Sequence, residues 1–462
     1  MADSIRVSNT SRVLPVPTDD EHPTTLLSLS FLDTFWVCIG PVQRLLFYRS
    51  EAPLASVVQS LKSSLSVTLG TFYPLSGKLA LSADSGELFI DCGAGGEDDG
   101  VEFTEAETDE EDLERLVTDH VHHWETYKRL VPDMRIDCLP APLMAVKVTG
   151  FRGGFTVGVS VHHVAVDGNS LSPFVKAWAE TCRSRGGAVV LREAVTFDRA
   201  VVGHPRNSDI CRNYLDLFSP SRPTVSATSG PFDPSKVARR TFIITTKMIQ
   251  SLKRIATEMD RDGDSSQTKK KPPSTFVAVA AHAWTCITRA RATEDGQSTL
   301  FFMADCRSRV DPPIPQSFFG NCVKACNMKS SVADLLAGEG HGFRFACDAI
   351  ERTIKEETSE PFRGCEEWVQ RLMAILPDHG GFVHFAGSHR FGLYKADFGW
   401  GRPSRVEFVS MSNDGAVVMN DARDDGGGVQ LSLALPPHHM EVFVTLFLDG
   451  MDGLGSDGFK LR

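Results

Sequence analysis

Apolar residues at positions 54, 57, 58, 61 and 65 (Leu54, Val57, Val58, Leu61, Leu65) recur at helical spacing, which predicts an amphipathic helix with its stripe in a core. Pro74 and Gly77 then punctuate the passage into Lys78–Leu81. Further on, Phe155, Val157, Val159 and Val161 alternate with Thr156, Gly158, Ser160 and His162. That period of two predicts a strand with one strongly apolar face. The strand stops at the histidines. Asp167 and Gly168 read as a turn, Asn169 or Ser170 as the cap of a helix with Pro173 in its first turn, and Leu171, Phe174, Val175 and Trp178 as its buried stripe, closed by Gly186. A second helix over Phe276–Arg289 carries the stripe Phe276, Val279, Ala280, Ala283, Trp284 and Ile287. Near the end, Val429, Leu431, Leu433 and Leu435 alternate with Gln430, Ser432 and Ala434 as a strand, and Pro436–Pro437 opens a helix with Val442, Phe443 and Leu446.

Helices and strands alternate in both halves, which suggests an α/β fold of two mixed layers, each a sheet covered by helices. Between them, Gly203–Lys236 is rich in Pro, Ser and Asn with no sustained apolar period, and suits a crossover. The expected division is residues 1–202, a crossover at 203–236, and residues 237–462. Asp260–Pro273 reads as a second exposed loop, with Lys269, Lys270 and Lys271 either solvated or available to a phosphate. The acidic runs Glu97–Asp99 and Asp109–Asp112 read as solvated charge, and no repeat of 20–50 residues is evident.

Composition narrows the function. With 462 residues, a 42% hydrophobic share and 23% charged residues, the chain is too apolar for disorder and long enough for two or three domains. Its formal charge of −11 argues against a nucleic-acid or anionic-lipid surface, so an anionic ligand needs a local basic pocket. Eleven cysteines without a CxxC pair, and a start at MADSIRVSNTSRVLPVP, imply reduced thiols and a cytoplasmic location. The most apolar stretches, Thr299–Ala304 and Val442–Leu448, stop well short of the roughly 18 residues of a membrane span.

One constellation carries chemistry. His162 and His163 end the predicted strand, followed by Asp167 and Gly168: HHxxxDG. HxxxD alone is expected by chance about once in such a chain, but the longer pattern only about 0.002 times. A histidine at a strand-to-loop junction suits proton abstraction from an acceptor hydroxyl, provided a neighbour fixes its ring. Asp167 either holds the imidazole directly or points inward to pair with an arginine and hold the loop; His162 reads as a core residue. No GxSxG elbow occurs, so a serine hydrolase is set aside.

HHVAVDG at His162–Gly168 together with DFGWG at Asp397–Gly401, about 230 residues further on, resembles the plant BAHD acyltransferases. YPLSGKL at Tyr73–Leu79 and DCRSR at Asp305–Arg309 fit the same family, and the similarity runs from Arg12 to Leu448. FFGNC at Phe318–Cys322 resembles the YFGNC signature of the flavonoid and anthocyanin malonylating branch, with Phe318 in place of Tyr. The resemblance implies a monomer of two similar mixed-sheet α/β domains of the CoA-dependent acyltransferase type, with a solvent channel between them. It implies His163 as general base, Asp167 in a salt bridge to Arg307 or Arg309, and an acyl-CoA co-substrate with neither cofactor nor metal. Asp397 and Trp400 either brace the loop on the CoA side or take a direct part such as proton handling or oxyanion stabilisation. For CoA phosphates, Ser274 and Thr275 mark a helix N-terminus, an anion site that Lys253 and Lys269–Lys271 could supplement. Phe35 and Trp36, in the segment that lines the acceptor pocket in the family, either stack on an aromatic acceptor or are plain core. The implied reaction is malonyl transfer from malonyl-CoA to a phenolic glycoside; a hydroxycinnamoyl donor and a non-catalytic binding relative are the alternatives.

Overall fold

The strand expected around residue 157 spans Gly154–Val161, and all eight of its residues are buried. Its polar positions therefore face a packed layer and not water. It lies between Met144–Phe151 and Val42–Arg49, antiparallel to both. Phe155, Val157, Val159 and Val161 enter the main core; on the opposite face the chain at Leu130–Pro132 comes in close. A Cβ at Gly158 would sit 2.2 Å from the Leu130 carbonyl oxygen, and Ser160 Oγ donates to the Pro132 carbonyl at 2.7 Å. Glycine and a small hydroxyl are what that approach permits.

This strand belongs to a six-stranded mixed sheet ordered Arg6–Val13, Val101–Glu107, Met144–Phe151, Gly154–Val161, Val42–Arg49, Arg405–Glu407. A second six-stranded mixed sheet runs Ala238–Ile244, Val429–Leu435, Ala416–Asp421, Phe382–Ser388, Gln297–Asp305, Val323–Ser331. A small four-stranded sheet completes the first half. Helices Leu54–Thr71 and Gly168–Arg183 supply the core of the first large sheet, and Thr246–Glu258, Thr275–Ala290, His341–Ser359 and Pro437–Asp452 that of the second. The fold is mixed α/β with two sheet-containing domains. The computed structural model describes all residues except 1–4, 17–24, 94–98, 186–193, 226–235, 259–270, 292–295, 339, 376–380, 412, 424–425 and 453–462. Gly186, Glu97, Asp98, Lys269 and Lys270 lie outside the described residues.

Several expectations need correction. Thr275–Ala290 is buried at every position from Val277 to Thr288, because three helices and a sheet surround it; a single stripe understates it. Helix Gly168–Arg183 is capped not by Asn169 or Ser170 but by Asp167, whose carboxylate accepts from the Ser170 N–H at 2.9 Å. The crossover contains a helix, Asn207–Phe218, that buries Ile210, Tyr214, Leu215 and Phe218. Those positions share one helical face, but the prolines on either side hid the period. The two large sheets fall on either side of 203–236 with one exception. Arg405–Glu407 pairs antiparallel with Val42–Arg49, Val406 opposite Leu46, and Phe318, Trp368 and Phe398 join the first core as well. The second half of the chain thus completes the first domain.

Candidate active site

After Val161 the chain leaves its ladder, and the two histidines part ways. His162 is fully buried; its N–H donates to the Leu143 carbonyl at 2.8 Å and its Nδ1 accepts from the Val164 N–H at 3.2 Å. Burial drives its pKa down to about 3, so it serves as a neutral core group. His163 keeps partial exposure. Its ring lies flat on the Trp36 indole, centroids 3.8 Å apart and planes 5° from parallel. Nδ1 is buried without a partner, which leaves Nε2 as the nitrogen able to take a proton. Burial pushes the imidazole pKa down to about 4, and the Arg44 charge adds to that, against opposing contributions that include Asp167 and Asn321. Near neutral pH the ring is uncharged, the state from which a general base accepts a proton.

The loop that carries His163 is held from behind. Asp167 takes Arg307 through both oxygens, at 2.9 and 3.2 Å, and also accepts from the Cys322 N–H at 2.9 Å. Arg307 is 1% exposed and further bonds Asp305, Ser170 Oγ and the Gly320 carbonyl. With cap, backbone and guanidinium all on this carboxylate, Asp167 makes no hydrogen bond to the imidazole among the described residues. Among the described residues the Arg309 side chain hydrogen-bonds only the Asp305 carbonyl, at 2.9 Å near the surface.

Asn321, in the FFGNC stretch, is a positioning residue that sequence reasoning missed. Its Nδ2 reaches the carbonyls of His163 and Val164 at 2.9 and 3.1 Å and Asp33 Oδ1 at 3.1 Å. Asp33 is fully buried, with Arg199 Nε 3.4 Å from its other oxygen. The available signal was a lone amide in an apolar run, which needs partners wherever it is buried.

The remaining candidates fall into three groups. Asp397 Oδ1 accepts from the N–H groups of Gly399 and Gly401 at 2.8 and 3.0 Å; both glycines have left-handed φ, +107° and +87°, which side chains resist. Phe398 packs edge-on to Trp178 and Tyr48, and Trp400 edge-on to Phe155. The DFGWG loop is therefore pinned to the first core, with no hydrogen bond or ring contact to His163 among the described residues. In the second domain, Lys253 Nζ donates to Thr275 Oγ1 at 3.0 Å, and Ser274 caps the same helix by accepting from the Val277 N–H. An ammonium and a helix N-terminus meet there, the chemistry a phosphate requires. Phe35 and Trp36 are both buried and pack edge to face, ring centroids 5.2 Å apart. Phe35 also packs against Tyr214 and Trp368, while Trp36 stacks on His163.

The family model described as "Transferase family" matches residues 5–448. The chain belongs to this family, the BAHD acyltransferases. Phenolic glucoside malonyltransferase 1 of Arabidopsis thaliana is 31% identical, over 98% of this chain and 99% of the relative. Malonyl-CoA:anthocyanidin 5-O-glucoside-6''-O-malonyltransferase of the same plant is 32% identical, over 92% and 94%. Coumaroyl-CoA:anthocyanidin 3-O-glucoside-6''-O-coumaroyltransferase 2, also from Arabidopsis thaliana, is 30% identical over 93% and 94%. Among solved structures, vinorine synthase superposes with a TM-score of 0.71 at 23% identity, covering 96% of this chain and 98% of the other. The Fusarium sporotrichioides TRI101 complex with coenzyme A and T-2 gives 0.67 at 18%, covering 91% and 97%. Both share the fold. Among the described residues of this acyltransferase, no cluster of three or more His, Cys, Asp or Glu could hold a metal ion, and no helix is long and apolar enough to cross a membrane.

Proposed function

We propose that this BAHD acyltransferase moves malonyl from malonyl-CoA to a sugar hydroxyl of a flavonoid, anthocyanin or other phenolic glucoside. The observation that carries the mechanism is the partly exposed His163, uncharged at neutral pH and flat against Trp36. Nε2 takes the proton of the acceptor hydroxyl as its oxygen attacks the thioester carbonyl carbon. The tetrahedral intermediate collapses, the C–S bond breaks, and the imidazolium returns the proton to the departing CoA sulfur. No acyl-enzyme forms, and the acyl-CoA is a co-substrate, with no further cofactor called for. Lys253, Ser274 and Thr275 receive CoA phosphate, Trp36 faces the acceptor side, and Arg307 and Asp397 with Trp400 keep the two loops in place. All these groups lie on one chain, which supports a monomer as the active unit.

Malonyl is chosen for the names of the relatives matched at 31% and 32% identity. A hydroxycinnamoyl donor is the second reading, favoured by the coumaroyltransferase relative at 30%. A screen of acyl-CoA donors against phenolic glucosides, read by mass spectrometry and by free thiol, tests the assignment; malonylated glucoside is expected, and no thiol release with any pair would leave only a binding role. His163→Ala should lower turnover at least about a hundredfold with the circular dichroism spectrum intact, and near-normal turnover would refute the base.

A further inference from the structure

A guanidinium is unfavourable to bury without a counter-charge, and most buried arginines of this chain have one. Arg307 pairs with Asp167 and Asp305, Arg405 with Glu407, Arg199 with Asp33, and Arg291 with Asp414. Arg44 has no carboxylate within ion-pair distance among the described residues, although it is only 6% exposed. Its Nη1 donates to the carbonyl of its neighbour Gln43 at 3.0 Å, and its plane rests on the Phe408 ring at 3.5 Å. Nε and Nη2 carry no hydrogen bond among the described residues, yet they are not among the buried polar atoms sealed from solvent. Burial without an acid pulls this arginine's pKa down to about 9.

Its position gives the vacancy of charge a meaning. Arg44 stands opposite Val159, two residues along the ladder, and so on the same face, from the Val42–Val161 pair that precedes the histidines. Its charge is felt at the His163 imidazole. We propose that Arg44 is the receptor for the free carboxylate of a dicarboxylic acyl donor, and so selects malonyl over neutral acyl groups. In malonyl-CoA a single methylene separates that carboxylate from the thioester carbonyl, so a carbonyl held for attack beside His163 brings its carboxylate into the same small space. A planar fork with open N–H groups is suited to a carboxylate, and Phe408 fixes the plane of the fork. The same cation also offsets the second negative charge that develops on the tetrahedral oxygen.

The inference rests on the malonyl reading above, and the test separates the two. The kcat/KM for malonyl-CoA and for acetyl-CoA is measured with one phenolic glucoside acceptor, in wild type, Arg44→Gln and Arg44→Lys. In Arg44→Gln the malonyl-to-acetyl ratio should fall about a hundredfold, the scale for removing one partner of a buried charge pair, with partial recovery in Arg44→Lys. Thermal melting of Arg44→Gln should be no lower than wild type, since removing an uncompensated buried charge offsets the lost contacts with Gln43 and Phe408, and malonyl-CoA should raise the wild-type midpoint more than that of the variant. A wild type that transfers malonyl and a variant that keeps the ratio would overturn the role of Arg44 alone. A wild type that transfers only neutral acyl groups would overturn the malonyl reading and the receptor with it.

Discussion

A base stacked on an indole is tuned by it. The π face of Trp36 favours the cation that His163 becomes when it takes a proton, by about 0.5–2 kcal/mol, which corresponds to roughly a third to one and a half pH units. Burial works in the other direction and dominates, holding the imidazole at about 4. Because the base must be unprotonated, activity should stay level from pH 7 to about 5 and fall toward 4. Trp36→Leu keeps the contact with the imidazole apolar but removes the π face, so the acid limb of kcat/KM should move to lower pH and the plateau should drop, since a weaker base transfers the proton less readily. Trp36→Phe should lie between. An unmoved limb in Trp36→Leu would mean that the indole merely packs. His163 itself was legible because HHxxxDG is local, seven consecutive residues at a strand end. Its partners were not: the Asn321 amide lies 158 residues away from the carbonyl it holds, and no pattern along the chain reports such a contact.

At the level of elements, two loops are braced by carboxylates in different ways. Asp167 is 1% exposed and answers a buried arginine, a helix N-terminus and a backbone N–H together. Asp397 is partly exposed and answers two glycine N–H groups. Removing one member of a buried pair costs about 3–5 kcal/mol; losing backbone hydrogen bonds to a partly solvated carboxylate costs about 1–3. Asp167→Ala should therefore lower the urea midpoint much more than Asp397→Ala, and both should reduce activity. Equal stability in Asp397→Ala and wild type, with activity lost, would instead assign Asp397 to the chemistry. The helix that starts beside Asp167 was foreseen, but its cap was misplaced because Asn169 and Ser170 are equally good capping types. Only the extended backbone at Asp167, φ −93° and ψ −179°, decides among them. Likewise the alternation at 429–435 identified a strand but could not show that both of its faces are covered.

Over the whole molecule, buried neutral histidines couple folding to pH. His162 and His282 are pushed by burial to about 3 and about 4, against 6.5 when exposed. Between pH 6.5 and 4 the unfolded chain binds protons that the folded one refuses, so stability falls as pH drops through that window and is insensitive to these groups above it. Urea midpoints at pH 7.5 and 5.0 should differ in that sense, and His282→Asn should narrow the gap; a midpoint at pH 5.0 equal to or above that at 7.5 would contradict the assignment. The division into two sheets could be read from composition, because the polar stretch at 203–236 is conspicuous. The return of residues 405–407 to the first sheet could not, for three residues carry no periodicity. That short return has a further consequence. Cut at the connecting stretch, the amino-terminal piece would be left with the rim of Val42–Arg49 uncovered, a row of free backbone groups that invites association with other chains. The molecule is laced shut by its own late-synthesised half, for the sheet that carries His163 gains its last strand only once translation has passed residue 407.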